Sequence, residues 1–257
     1  MAIHATAIVD PRAEIDPTCD IGPYAVIGPM VRMGPGNTVG AHAVIDGDTT
    51  FGEGNRVFPF ASIGQIPQDL KFRGEHTRLV IGSGNRFREF CTVHLGTEGG
   101  GGVTRIGDRC LVMANSHVAH DVQMGDECIL GYSTGLGGHV VVEDHVIFSG
   151  LAAVHQFVRI GRFAFVSGGA MVGMDVAPYC TVQGDRAQLA GLNTTGLERA
   201  GFGAERIARI KEAYRITFRS GLRLQEAVEK LRAELGGHPE VDHFVAFISG
   251  SERGLTR

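Results

Sequence analysis

The chain has 257 residues, 43 % of them apolar and 20 % charged, enough to pack a core and too apolar for wholesale disorder. Its net charge of −4, from 24 basic and 28 acidic residues, excludes the broad positive surface of a general nucleic-acid binder. No run approaches the roughly 18 apolar residues of a membrane span, and 38 glycines, about 15 % of the chain, come without the Gly-X-Y period of collagen.

The opening Met1-Ala2-Ile3-His4-Ala5 lacks the basic and apolar segments of a secretory signal. Cys19, Cys91, Cys110, Cys128 and Cys180 are scattered and form no C-x-x-C pair, as expected of idle thiols in a reduced, cytoplasmic setting. From Ile3 every sixth residue is apolar: Val9, Ile15, Ile21, Ile27, Met33, Val39, Ile45, Phe51, Val57 and Ile63. A period of six is neither helical nor simply alternating, and it predicts a coil of short strands with one inward side chain per face. Gly22, Gly28, Gly34, Gly40, Asp46, Gly52, Gly107, Gly125, Gly137 and Gly161 follow lattice residues. They are expected to supply the backbone freedom that corners between strands require.

The lattice pauses over 65–78, a polar stretch containing Gln68-Asp69-Leu70-Lys71, and resumes at Ile81, Phe87 and Val93. A second pause over 95–105 holds Gly99-Gly100-Gly101-Gly102, read as a mobile loop. Both pauses read as loops projecting from a rigid body. From Ile106 the period then runs through Val112, Val118, Met124, Leu130, Leu136, Val142, Phe148, Val154, Ile160 and Val166 to Val172 without a miss.

Histidines gather on this second run. His117 and His120 flank the lattice residue Val118, and Asp121 follows His120. His139 and His155 lie 19 and 35 residues beyond His120. If three six-residue steps close one coil, these offsets place the histidines on one side of neighbouring coils. Packing does not ask for that, because lattice interiors take aliphatic residues. Three histidines can make a zinc site, but no Cys or acidic ligand cluster supports the H-x-x-H spacing, and no metal is expected. Acid–base chemistry suits the group better, with His120 as base, Asp121 fixing its tautomer and no nucleophile elbow in the chain.

Beyond Gly184 the texture becomes helical. Ile207, Ile210, Ala213, Tyr214 and Thr217/Phe218 form one stripe, Leu224, Val228, Leu231 and Leu235 a second, and Val241, Phe244, Val245 and Ile248 a third after Pro239. The division expected is a solenoid over 1–185 and a small helical domain over 186–257 that caps its open end. From Glu198 onward the charge is +2, against −6 for the rest. Arg206, Arg209, Lys211, Arg215, Arg219 and Arg223 cluster around the first helix, as a solvated face or a dock for an acidic protein.

The repeat resembles that of the hexapeptide-repeat acyltransferases, which implies a left-handed parallel β-helix with 18 residues per coil. Within them, four motifs resemble those of the UDP-N-acetylglucosamine 3-O-acyltransferase family. They are His117-Val118-Ala119-His120-Asp121, Gly137-Gly138-His139-Val140, Ala153-Val154-His155-Gln156-Phe157 and Gln68-Asp69-Leu70-Lys71. The resemblance runs to the closing Arg253-Gly254-Leu255-Thr256-Arg257. It implies transfer of a (3R)-3-hydroxyacyl group from acyl carrier protein to the sugar 3-hydroxyl, the first step of lipid A synthesis, with no cofactor of the enzyme's own. By the same resemblance His120 is the general base, Asp121 orients it, and the Gly138 N–H holds the oxyanion. Gln68, Asp69 and Lys71 hold sugar and phosphate, while His117, His139, His155 and Gln156 line the cleft. Asn193 and Arg199 meet the nucleotide, and Gly168 lies in the acyl groove. A cytoplasmic homotrimer with sites between prisms is implied too, and the acidic carrier protein fits the basic helix.

Two departures stand out. Asp185-Arg186 replaces the more usual Asn-His at the far end of the groove, and Thr195 replaces a common Glu. These bear on chain length and nucleotide contacts, and the sugar's 3-position carries either a hydroxyl or an amine. Two other readings remain. One is a related N-acyltransferase or acetyl-CoA-dependent enzyme, although the N-acyltransferases typically carry an extra domain before the prism. The other is a non-catalytic binding solenoid, which gives no reason for His120, His139 and His155 to share a side.

Overall fold

A computed structural model describes residues 2–257. Most strands are two residues long, and they form sheets of eleven, nine and eight strands. Each strand pairs in parallel with the one a full coil later: Asp20 with Thr38, Val26 with Val44, Arg32 with Thr50. The result is a left-handed parallel β-helix with three faces. Face A begins with Ala2–Ile3, face B with Ile8–Val9 and face C with Glu14–Ile15.

The six-residue lattice occupies the inward position of every coil. From Ile21 to Val172 no lattice residue is more than 4 % exposed, whereas Ile3 is 38 % exposed and Val9 and Ile15 are half-buried. The first coil has a neighbour on one side only, so its lattice residues cannot be enclosed. Neither pause breaks the stack, because Phe51 pairs with Ile81 and Ile81 with Ile106. Each insertion leaves at a corner and returns in register.

The glycines serve a different purpose from the one expected. The nine glycines named above, from Gly22 to Gly161, all lack the left-handed backbone conformation. They are small because the next coil passes too close: a Cβ on Gly34 would lie 2.8 Å from the Gly52 carbonyl, and one on Gly40 2.7 Å from the Pro59 nitrogen. The left-handed corner position falls two residues later and is filled by Tyr24, His42, Phe60, Asp121, His139 and Phe157 among others, these six with φ between 57° and 65°. Such a φ is costly for an L-residue, and the stack on either side holds each of these in place.

After Val172 an antiparallel hairpin, Cys180–Gln183 with Gln188–Leu192, extends face A. It carries no hexad signal, and strand continues past Asp185 to Leu192. Four helices follow: α1 (Thr194–Arg199), α2 (Ala204–Phe218), α3 (Leu224–Leu235) and α4 (Pro239–Ser249). Ile210, Ala213, Leu231, Phe244 and Ile248 are among the residues that bury the predicted stripes. The helices tie back to the prism through His243 Nε2 and Glu143 Oε2 at 2.8 Å, and through Arg159, stacked 4.3 Å over Phe247. No helix of the described residues is long and apolar enough to cross a membrane.

Candidate active site

The corner between faces B and C gathers the predicted groups. Three successive coils place Ala119-His120-Asp121, Gly137-Gly138-His139 and His155-Gln156-Phe157 one above another. The His139 N–H donates to the His120 carbonyl at 3.0 Å, and the Phe157 N–H to Gly138 at 3.1 Å. All three histidines share the corner but take different steps of it: His120 the first, His139 the left-handed second, and His155 the residue before both. His139 is thereby stacked on Phe157, with ring centroids 4.3 Å apart, and stands edge-on to His120 at 5.1 Å.

His120 and Asp121 form a dyad. The Nδ1–H of His120 donates to Oδ2 of Asp121 at 2.8 Å, leaving Nε2 with its lone pair at a ring that is 13 % exposed. The Asp121 carboxylate is wholly buried, yet it is well supplied with donors. Thr97 gives Oδ1 its N–H at 2.8 Å and Oδ2 its hydroxyl at 2.6 Å, and His139 Nε2 stands 3.7 Å from Oδ2. His120, Asp121 and His139 together could in principle hold a metal ion. With three donors already on the carboxylate, the arrangement suits a hydrogen-bonded dyad better.

Gly138 sits directly against the imidazole. A Cβ there would lie 2.5 Å from His120 Cε1 and 2.7 Å from Nε2. Its N–H donates to no acceptor among the described residues. A free backbone donor thus stands beside a free imidazole nitrogen.

His139 and His117 are biased toward the neutral form. Burial pushes His139 and His117 below the usual imidazole range; the neighbouring His120 adds to this, while the charges of Asp121 and Asp69 pull His139 the other way. The 65–78 loop that carries Asp69 joins face B at Gln65 to face C at Arg78, at this same corner. Lys71 is exposed in the same loop and gives its N–H to Asp69 Oδ1 at 2.9 Å; Gln68 is exposed beside them. His117 is hydrogen-bonded to Thr92 at 2.7 Å and faces outward from face B, in line with Gly135 and Ala153. His155 meets Arg253 at 2.8 Å.

Three predicted residues lie elsewhere. Asn193 caps α1, accepting from the Gly196 N–H at 3.1 Å and donating to the Phe163 carbonyl at 3.0 Å. It lines a groove of about 450 Å³ on face A with Phe165, Thr195 and Arg199. Face A is opposite the B–C corner, so neither Asn193 nor Arg199 meets His120 within one chain. Gly168 lies at the A–B corner, where a Cβ would make only an ordinary 3.4 Å contact with the Gly150 carbonyl, so internal packing does not demand glycine there. Asp185 and Arg186 form the exposed tip of the hairpin.

The basic cluster is partly neutralised. Arg206 pairs with Glu240, Arg209 with Glu205 at 4.0 Å and Arg215 with Glu212 at 2.5 Å. Arg219 bonds the Tyr214 hydroxyl, and Lys211 is exposed. The sequence reading missed Thr97, Thr92, Arg253 and His94. His94 follows a lattice residue as His155 does, and that position was the available signal. Thr97 sits in an aperiodic insertion and offered none.

Family models match residues 175–256 as "Udp N-acetylglucosamine O-acyltransferase; Domain 2" and residues 104–138 as "Bacterial transferase hexapeptide (six repeats)". A relative from Anaeromyxobacter dehalogenans, named acyl-[acyl-carrier-protein]--UDP-N-acetylglucosamine O-acyltransferase, is 65 % identical over all of both chains. One of the same name from Myxococcus xanthus is 60 % identical over 99 % of each. The solved UDP-N-acetylglucosamine O-acyltransferase of Moraxella catarrhalis superposes with a TM-score of 0.97 at 41 % identity over all of both chains. That of Arabidopsis gives 0.84 at 33 %, covering 99 % of this chain and 100 % of its own.

Proposed function

The chain belongs to the UDP-N-acetylglucosamine O-acyltransferase family, an enzyme moving an acyl group from acyl carrier protein to that sugar nucleotide, and on this premise we propose a mechanism centred on the His120–Asp121 dyad. The observation that carries it is the free Nε2 of His120 beside the uncommitted N–H of Gly138.

His120 Nε2 takes the proton from the 3-hydroxyl of the glucosamine ring as that oxygen attacks the thioester carbonyl carbon. The Gly138 N–H donates to the resulting oxyanion. Collapse re-forms the carbonyl and breaks the C–S bond, and the imidazolium returns its proton to the departing phosphopantetheine thiolate. Asp121 keeps Nδ1 protonated and stabilises the imidazolium between the two transfers. His139, neutral against Phe157, packs the cleft without competing for the proton.

Asp69, Lys71 and Gln68 would hold sugar and phosphate, and His117, His155 and Gln156 the rest of the cleft. Arg199 and the Asn193 turn on face A would take the nucleotide from a neighbouring copy, as in a homotrimer with sites between prisms. The acyl chain, a (3R)-3-hydroxyacyl group, would run along the prism past Gly168, whose missing side chain leaves room outside the fold. The reaction needs no cofactor beyond the carrier's own phosphopantetheine. A cytoplasmic enzyme opening lipid A synthesis fits five buried free thiols. Lys211 and Arg219, with the paired Arg206, Arg209 and Arg215, would face the acidic carrier.

The test is a product assay with UDP-N-acetylglucosamine, its 3-amino analogue and 3-hydroxyacyl carrier proteins of several chain lengths, read by mass spectrometry. An ester on the 3-oxygen is expected; faster amide formation on the analogue would reassign the acceptor. His120→Ala should lower kcat by about a thousandfold or more in a folded protein. Turnover near the unaltered rate would remove His120 from the reaction.

A further inference from the structure

The insertion over 95–105, read from sequence as a mobile loop, is built onto the dyad. It leaves face B at His94, turns through the short 3-10 helix Glu98–Gly100 and returns to face C at Val103. The side chain it sends to the Asp121 carboxylate is that of Thr97, 6 % exposed. Thr97 makes two bonds to one carboxylate: N–H to Oδ1 at 2.8 Å and hydroxyl to Oδ2 at 2.6 Å. The second lands on the oxygen that also accepts from His120. The glycines of the loop close the other side. A Cβ on Gly100 would overlap the Asp121 carboxylate, and one on Gly96 would reach within 2.9 Å of Oδ1. Gly100 does not have a left-handed φ, so closeness to the carboxylate is what excludes a side chain there. Below, the Asp121 N–H donates to Thr104 Oγ1 at 2.8 Å, fixing the backbone from the far end of the same insertion.

We infer that Thr97 is a positioning residue for the transfer, acting through Asp121 to hold its carboxylate aimed at His120. A lone buried carboxylate could rotate about its terminal torsion or draw in water. Donors on both oxygens remove that freedom. The hydroxyl also occupies an acceptor site on Oδ2 that the ring of His139, 3.7 Å away, would otherwise approach. The dyad then has one arrangement, with Nδ1 of His120 as the remaining donor and Nε2 directed at the acceptor sugar. This rests on the dyad reading above.

The experiment is a double-mutant cycle on the full-length enzyme with acyl carrier protein as donor. Thr97→Val removes the hydroxyl at nearly constant shape and should lower kcat by about tenfold or more with KM unchanged within about twofold. Thr97→Ser keeps both donors and should restore kcat to within about threefold. In an Asp121→Ala background the valine substitution should have less than about a twofold further effect, because its target is gone. Should Thr97→Val fail to fold, Thr97→Ala removes the same hydroxyl without a second methyl, and the same split is expected. Wild-type kcat in the valine variant overturns the inference, as does an equal loss in both backgrounds. A change confined to KM would assign Thr97 to substrate binding and overturn it too. If His120→Ala is itself fully active, the dyad reading fails, and the cycle is then read on Asp121 alone.

Discussion

His94 shows how much a single neutral histidine can decide. It is 4 % exposed, its Nδ1 has no partner among the described residues, and it lies edge-on to His117 with centroids 4.8 Å apart. Burial first, then the neighbouring His117 and His120, pull its pKa down to about 4. Because the folded value lies below the ordinary one of about 6.5, the unfolded chain binds the proton more readily between them. Stability is therefore full above about pH 6.5 and is lost as the pH falls toward 4. His117 and His139 are shifted in the same direction and add to the effect. The melting temperature should drop on acidification from pH 7 to 5, and His94→Phe should flatten that dependence. An unchanged slope in the variant would mean that other groups set it. At the same scale, the meeting of His120, Asp121 and Gly138 at one corner was legible because motif and coil period agreed. The steps they take around the corner were not, since a one-residue offset is invisible to a six-residue period.

Among elements, the corner between faces C and A carries a ladder that the hydrophobic lattice does not reveal. Asn37 Oδ1 accepts from the backbone and side chain of Asn55, Asn55 Oδ1 from the Asn85 N–H, and Asn85 Oδ1 from the Cys110 N–H, at 2.7 to 2.9 Å. The side-chain amides reach the carbonyls of Gly34, Gly52, Gly82 and Gly107. Every rung is buried, so losing one leaves donors and acceptors of two coils unpaired. Asn55→Ala should cost about 2–4 kcal/mol in denaturant unfolding, more than a typical surface substitution. A loss below about 1 kcal/mol would show that the backbone spacing alone holds the corner. Gly34→Ala and Gly40→Ala should also destabilise, through collision with the next coil and with no strain in φ. These elements explain what sequence could and could not tell. One apolar residue in six is enough to define strands and faces, because burial selects it directly. The corner glycines were found for the wrong reason, since a close approach between coils depends on residues 18 apart that no local pattern connects.

For the whole molecule, the decisive fact is that the proposed site is split. His120, Asp121, Gly138 and the Asp69 loop lie at the B–C corner, while Arg199 and Asn193 line the groove on opposite face A. One prism cannot fold face A onto its own corner, because the three sheets are fixed by parallel pairing along the whole stack. Outward Leu111, Ile129, Ile147 and Phe165 make the same face A apolar and half-buried, as a surface meant for another copy would be. Complementation tests this directly. His120→Ala and Arg199→Ala chains, each impaired alone, would be co-refolded in equal amounts. If each site takes its base from one copy and its arginine from the next, about a quarter of the sites in randomly mixed trimers receive both intact residues. Activity should then rise to about a quarter of the unaltered enzyme's, well above the mean of the two parents. Activity equal to that mean would place both residues in a single chain's site, and the groove on face A would need another occupant.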